Sequence, residues 1–227
     1  MASEAGAGLA DGALGDDTDL GEHLRDVVAI MARLRRDCPW DAEQTHRSLT
    51  KHLLEEAAET VDAIEAGSDA DIVEELGDVL LQVVFHAEIA RREGRFDIDA
   101  VAGALVDKLV SRHPWVFGDR SAPSDMMASW EGAKKTAKQR ESALDGIPDA
   151  LPSLARAAKV ATRLRDTHTD DALSMLGEPD ASDDPAALAG RQLLEQVIAA
   201  VEQGVDPDQA LRDATRAWET AVRQAGL

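Results

Sequence analysis

The chain has 227 residues and a formal net charge of −20, with 44 Asp and Glu against 24 Lys and Arg. So acidic a chain is expected to offer no broad nucleic-acid surface, which needs clustered basic side chains, and a single cysteine, Cys38, excludes an intrachain disulfide framework. The first residues lack a basic, then apolar, leader pattern and no run reaches transmembrane length, so a cytoplasmic protein without a membrane partner is expected, with one sizeable core or two small ones.

Residues 1–19, rich in Ala, Gly and Asp, carry no periodicity and are expected to form a disordered acidic tail. A helix is predicted over Glu22–Arg36, with Leu24, Val27, Val28, Met31 and Leu34 on one side. It stops before Cys38-Pro39-Trp40-Asp41, where proline cannot continue it. The Trp40 ring reads equally well as a core anchor at a helix junction and as a lid over a nucleobase or metal site.

From Lys51 to Glu88 the pattern predicts two helices joined by a tight turn at Gly67-Ser68. Each carries two acids three apart: Glu56 and Glu59 on the first, Glu75 and Asp78 on the second. Residues three apart share a helix face, so an antiparallel hairpin brings all four carboxylates to one pocket. On the first helix Leu53, Leu54, Ala57, Val61 and Ile64 form an apolar arc, with Glu56, Glu59 and His52 at its edge. On the second, Ile72, Leu76, Val79, Leu80 and Val83 form the main arc, while Leu81, Phe85 and Ile89 cover much of the other side. Both helices are therefore expected to bury these arcs, with the acids among them. Carboxylates gathered in such surroundings are costly by desolvation and repulsion unless a cation compensates them, and oxygen-only ligation suits a hard cation such as Mg2+. An ordinary solvated acid face is the plainer reading of any one pair. Two pairs on adjacent helices beside apolar arcs favour the metal.

Beyond the hairpin, Asp97 can cap a helix with Ile98, Val101, Leu105 and Leu109 at helical spacing. Lys108 and Arg112 lie four apart near its C-terminal end, as dipole compensation or as a phosphate clamp. A further helix is predicted from Ser124 to Glu141, where Trp130 and Lys134 lie four apart and little apolar surface accounts for the indole. After a boundary at Ala143–Pro148, helices are predicted over Leu151–Leu164, Ala187–Gln203 and Asp206–Gln224, with an acidic linker at about 166–186. Gly77–Arg112 can be laid beside Gly190–Ala217 as a weak internal repeat in which the second copy lacks the acids.

Taken together, Cys38-Pro39-Trp40-Asp41 with Gln44-Thr45-His46, Glu55-Glu56-Ala57-Ala58-Glu59, Glu74-Glu75-Leu76-Gly77-Asp78, Arg112-His113-Pro114-Trp115-Val116-Phe117, and Trp130-Glu131 with Lys134 resemble the MazG nucleoside triphosphate pyrophosphohydrolases. The resemblance spans roughly Leu20 to Leu164. It implies an all-α, MazG-like helical bundle, a homodimer whose subunits complete a four-helix bundle around each site, and Mg2+-dependent hydrolysis of a nucleoside triphosphate to monophosphate and pyrophosphate. Mn2+ would be a substitute ion, and nucleotide-pool housecleaning the biological role. Carried over by position, Glu56, Glu59, Glu75 and Asp78 would be the catalytic metal ligands, with Glu55 an outer participant. Lys108 and Arg112 would hold the phosphate chain, and Trp130 and Lys134 would contact substrate. The catalytic domain is then expected over 20–146 and a helical C-terminal region, a degenerate second copy, over 147–227.

Two rivals differ in chemistry. A di-iron carboxylate bundle needs Glu-x-x-His from two of its helices, and neither acid helix has that motif. A non-catalytic helical interaction module would use the acid face for docking but leaves the apolar setting of Glu75 and Asp78 without a reason.

Overall fold

The computed structural model describes residues 21–119, 121–124, 142–166 and 184–226. The expected acidic tail, nearly all of the predicted helix from Ser124 to Glu141, with Trp130 and Lys134, and most of the acidic linker lie outside the described residues. Among the described residues the secondary structure is α-helical, with eight helices and no strand. The chain divides into two compact units, Met1–Trp130 and Glu131–Leu227.

In the first unit α1 (Glu22–Asp37) and a short α2 (Pro39–Glu43) lead into α3 (Thr50–Ala66), α4 (Asp69–Arg92) and α5 (Ile98–Arg112). Proline at the first position of α2 starts a new helix where sequence predicted only a connection, because its fixed φ suits a first turn and its missing N–H is not needed there. The turn between α3 and α4 has a steric and a polar cause. A Cβ on Gly67 would stand 2.7 Å from the Ala63 carbonyl oxygen, so only glycine lets the chain fold back that closely. Ser68 and Asp71 then form a reciprocal capping box, the Ser68 N–H donating to Asp71 Oδ2 at 2.6 Å. Asp97 caps α5 by accepting from the Ala100 N–H at 3.0 Å, as its sequence position predicts.

The core of this unit comprises Met31, Leu49, Val84, Phe85 and Ile89, with Val27, Val28, Leu80 and Ile98 packed on it. It therefore sits at the C-terminal half of α4, where α1 and the start of α3 meet it, and leaves the N-terminal half of α4 to the acids. Arg35 stiffens this end. Its buried guanidinium donates to the carbonyl oxygens of Asp41 and, at 3.1 Å, Gln44, and its Cζ lies 5.6 Å from the Phe85 ring centre. Arg92 in turn donates to the Arg35 carbonyl at 2.6 Å, while buried Glu88 takes both arms of Arg91 at 2.6 and 2.8 Å.

The second unit holds α6 (Ser153–Arg165), α7 (Pro185–Glu202) and α8 (Pro207–Gln224), with Ala161, Val197 and Val201 buried. Arg165 donates to the Val201 carbonyl at 2.8 Å, tying α6 to the end of α7. No described helix is long and apolar enough to cross a membrane.

The apolar arc predicted for burial on α3 is exposed throughout, with Leu54 56% and Ile64 60% accessible, whereas α4 is divided: Leu76, Leu81 and Val83 are exposed, Ile72, Val79 and Leu80 half-buried, and Phe85 and Ile89 buried. The buried stripe of α3 is instead polar or small, comprising half-buried His52 and Glu56 with buried Thr60 and Ala63. The reason lies in what the acids face. α3 turns the Glu56 stripe toward α4, and a stripe two residues round the helix then points outward. Trp40 is 57% exposed, which leaves no room for the core-anchor reading.

Candidate metal and active site

Two helix backbones bring the acids together. Thr60 sits between them, its hydroxyl donating to the Glu56 carbonyl oxygen at 2.7 Å and lying 3.3 Å from the Glu75 carbonyl oxygen. That contact holds α3 against α4 beside the acids. One carboxylate oxygen each from Glu56, Glu75 and Asp78 then lie within 4.8 Å of one another, all three side chains half-buried. Three of the four predicted ligands thus converge.

Electrostatics extends the cluster to the fourth. Desolvation, followed by the charges of Asp78 and Glu59, pushes the Glu56 carboxyl above its ordinary value of 4.5. Desolvation, followed by the charges of Glu59 and Asp78, raises Glu75 above the same value. Glu59 is exposed and stands outside the group of three, yet its charge weighs on both neighbours. Glu55 is exposed and pairs with His52 Nδ1 at 3.1 Å, and its charge adds a smaller upward push on Glu56.

The donor set fits a hard divalent cation on two counts. It consists of carboxylate oxygens alone. In addition, Glu75 Oε2 is buried without a hydrogen-bond partner, a condition that stripped carboxylate oxygens seldom tolerate unless something positive meets them.

The predicted cationic partners are less defined. Lys108 is exposed and Arg112 half-buried on α5, a helix with no buried residue. Neither is among the leading charges that bear on Glu56 or Glu75. Trp130 and Lys134 lie outside the described residues.

Sequence reasoning missed two groups on the same face of α4. Gln82, one turn past Asp78, is buried. One turn further, His86 meets His46, which precedes α3: their Nδ1 atoms are 2.8 Å apart, the rings tilted by only 4° and their centres 5.0 Å apart. That places the rings edge to edge in one plane, sharing one proton between two nitrogens. Arg95 faces His46 Nε2, and because arginine only donates, that nitrogen accepts. The His46 proton is then on Nδ1 and donates to His86 Nδ1. The chain of three fastens the entry to α3, which carries Glu56, to α4, which carries Glu75 and Asp78. The i+4 spacing from Asp78 to Gln82 to His86 was the available signal; the partner 40 residues away was not.

Comparison with known proteins follows the hairpin. The model of the MazG nucleotide pyrophosphohydrolase domain matches residues 44–117. An uncharacterised 26.1 kDa protein from the blaB 3′ region of Streptomyces cacaoi is 45% identical over 99% of this chain and 93% of its own length. A nucleoside triphosphate pyrophosphohydrolase of Mycobacterium tuberculosis is 47% identical over 65% of this chain, which spans about half of that protein, 46%. The nucleoside triphosphate pyrophosphohydrolase/pyrophosphatase MazG of Thermotoga maritima is 37% identical over 87% of this chain and 83% of its own length.

Proposed function

As this chain belongs to the MazG family of nucleotide pyrophosphohydrolases, we propose that it hydrolyses nucleoside triphosphates between the α- and β-phosphates, releasing monophosphate and pyrophosphate. The observation that carries this reading is the convergence of Glu56, Glu75 and Asp78, with an unpaired buried oxygen on Glu75. Glu56, Glu75 and Asp78 would hold Mg2+, or Mn2+ in its place, with Glu59 completing the acidic rim. When bound, such a cation neutralises phosphate charge and lowers the pKa of its water.

The remaining roles fall to the chain itself. The acid rim repels bare triphosphate, so substrate is admitted only with its charge compensated. Lys108 and Arg112 would hold the phosphate chain and stabilise the departing pyrophosphate, and Trp130 with Lys134 would contact the rest of the substrate. The exposed apolar faces of α3 and α4 support a homodimer, because two copies that buried Leu54, Ile64 and Leu76 would also close water out of the acid pocket. A sole cysteine suits the reducing cytoplasm, and nucleotide housecleaning is the role that joins these assignments.

Product analysis tests the reading. The protein is incubated with a panel of nucleoside triphosphates, with Mg2+ or with chelator. Monophosphate and pyrophosphate should form only with Mg2+. Diphosphate with orthophosphate would place the attack at the γ-phosphorus and remove this proposal.

A further inference from the structure

Gln82 lies four residues beyond Asp78 and seven beyond Glu75, on one stripe of α4. It is 4% exposed, and its Oε1 is buried with no hydrogen-bond partner. Glu75 Oε2 is in the same condition two turns away. A buried amide oxygen left unpaired costs stability that an apolar side chain of equal length would not, so packing alone does not favour glutamine here. Two unpaired acceptors with a carboxylate between them make a row that lacks donors.

The hairpin places that row in the site. Thr60 lies against Glu75, and Glu56 clusters with Asp78, so α3 and α4 run antiparallel. Gln82 occupies the next layer along α4, away from the Gly67 turn and before the His46–His86 pair. It borders the acid cluster on the side leading to the core.

We propose that Gln82 is a further ligand-binding residue of this site, its carboxamide oxygen accepting a hydrogen bond from a hydroxyl-type donor of the incoming complex. That donor is either a water carried by the cation or a hydroxyl of the nucleotide sugar, and the chemistry is the same: an O–H meeting a pre-desolvated acceptor. The inference rests on the reading of the acid cluster as a metal and nucleotide site.

The test uses Gln82→Met, which keeps length and removes the acceptor, and Gln82→Asn, which keeps the amide and withdraws it. Three quantities are read: melting temperature without metal, Mn2+ affinity without nucleotide by electron paramagnetic resonance, and KM against kcat for ribo- and deoxynucleoside triphosphates. Gln82→Met should melt above the wild type when metal-free. Both variants should then bind Mn2+ about five- to tenfold more weakly if the donor is a cation's water. If the donor is a sugar hydroxyl, Mn2+ affinity is kept and KM rises by a similar factor with kcat little changed. Unchanged Mn2+ affinity and unchanged KM in both variants overturn the inference, whatever the melting temperature does; should Gln82→Met fail to fold, Gln82→Asn decides on the same criteria. A wild type that neither binds Mn2+ nor turns over any triphosphate would instead remove the site reading itself.

Discussion

Glu75 concentrates the cost and the use of this site in one side chain. Its carboxyl is raised by desolvation and then by Glu59 and Asp78, so the folded state favours the protonated form. For a raised carboxyl the stabilising contribution is present below the ordinary value of 4.5 and is lost as pH rises through the folded pKa, so Glu75 supports folding less at neutral pH than in acid. Glu75→Gln is therefore expected to raise the melting temperature of the metal-free protein and to abolish the further rise that Mg2+ gives the wild type. Differential scanning calorimetry with and without Mg2+ checks both, and a variant that still responds to Mg2+ like the wild type contradicts the ligand assignment. His86 works with the opposite sign. Burial, then His46, holds it below its ordinary 6.5, so the unfolded chain takes up a proton first as pH falls. Stability should accordingly be full above 6.5 and decline below it, and His86→Asn should flatten that decline in urea titrations run across this range. The acids themselves are legible in the sequence because three-residue spacing fixes a common face. Gln82 and the histidine pair are not, since an unpaired amide oxygen and a contact across 40 residues exist only once two helices are in register.

At the scale of elements, the α3–α4 hairpin is the device, and its turn is written locally. Gly67 has no room for a Cβ, and Ser68 with Asp71 closes the first turn of α4. Ser68→Ala should cost about 0.5–2 kcal/mol, read from the urea midpoint, and should lower metal affinity because the register of Glu75 against Glu56 depends on that turn. Loss of stability with metal affinity intact would mean the register is set elsewhere. Helix positions were largely readable: α1 ends one residue later than predicted, and α7 starts two residues earlier at Pro185. The burial direction was not. Leu53, Leu54, Val61 and Ile64 look like a core stripe in a one-helix projection, but the chain spends the inner face of α3 on Glu56 and Thr60. A hydrophobic arc states that something covers it and does not say that the same chain does.

The first unit joins a packed end to an acid end. Met31, Leu49, Phe85 and Ile89 pack the C-terminal half of α4, leaving its N-terminal half lined by carboxylates and flanked by bare apolar faces. The homodimer proposal predicts a sedimenting mass about twice the chain's 24.3 kDa. Leu54→Glu together with Ile64→Glu should shift it to the monomer and remove activity while leaving the helical circular-dichroism signal. An active monomer would show that one chain suffices. The central claim is that the acid hairpin directs water onto a nucleoside triphosphate at the α-phosphorus. Its most direct test is hydrolysis in heavy-oxygen water with Mg2+, comparing wild type with Glu75→Gln by mass spectrometry of the products. Heavy oxygen in the monophosphate from the wild type, with no turnover by the variant, is the predicted result; heavy oxygen in pyrophosphate or orthophosphate, or equal turnover by both proteins, would contradict it.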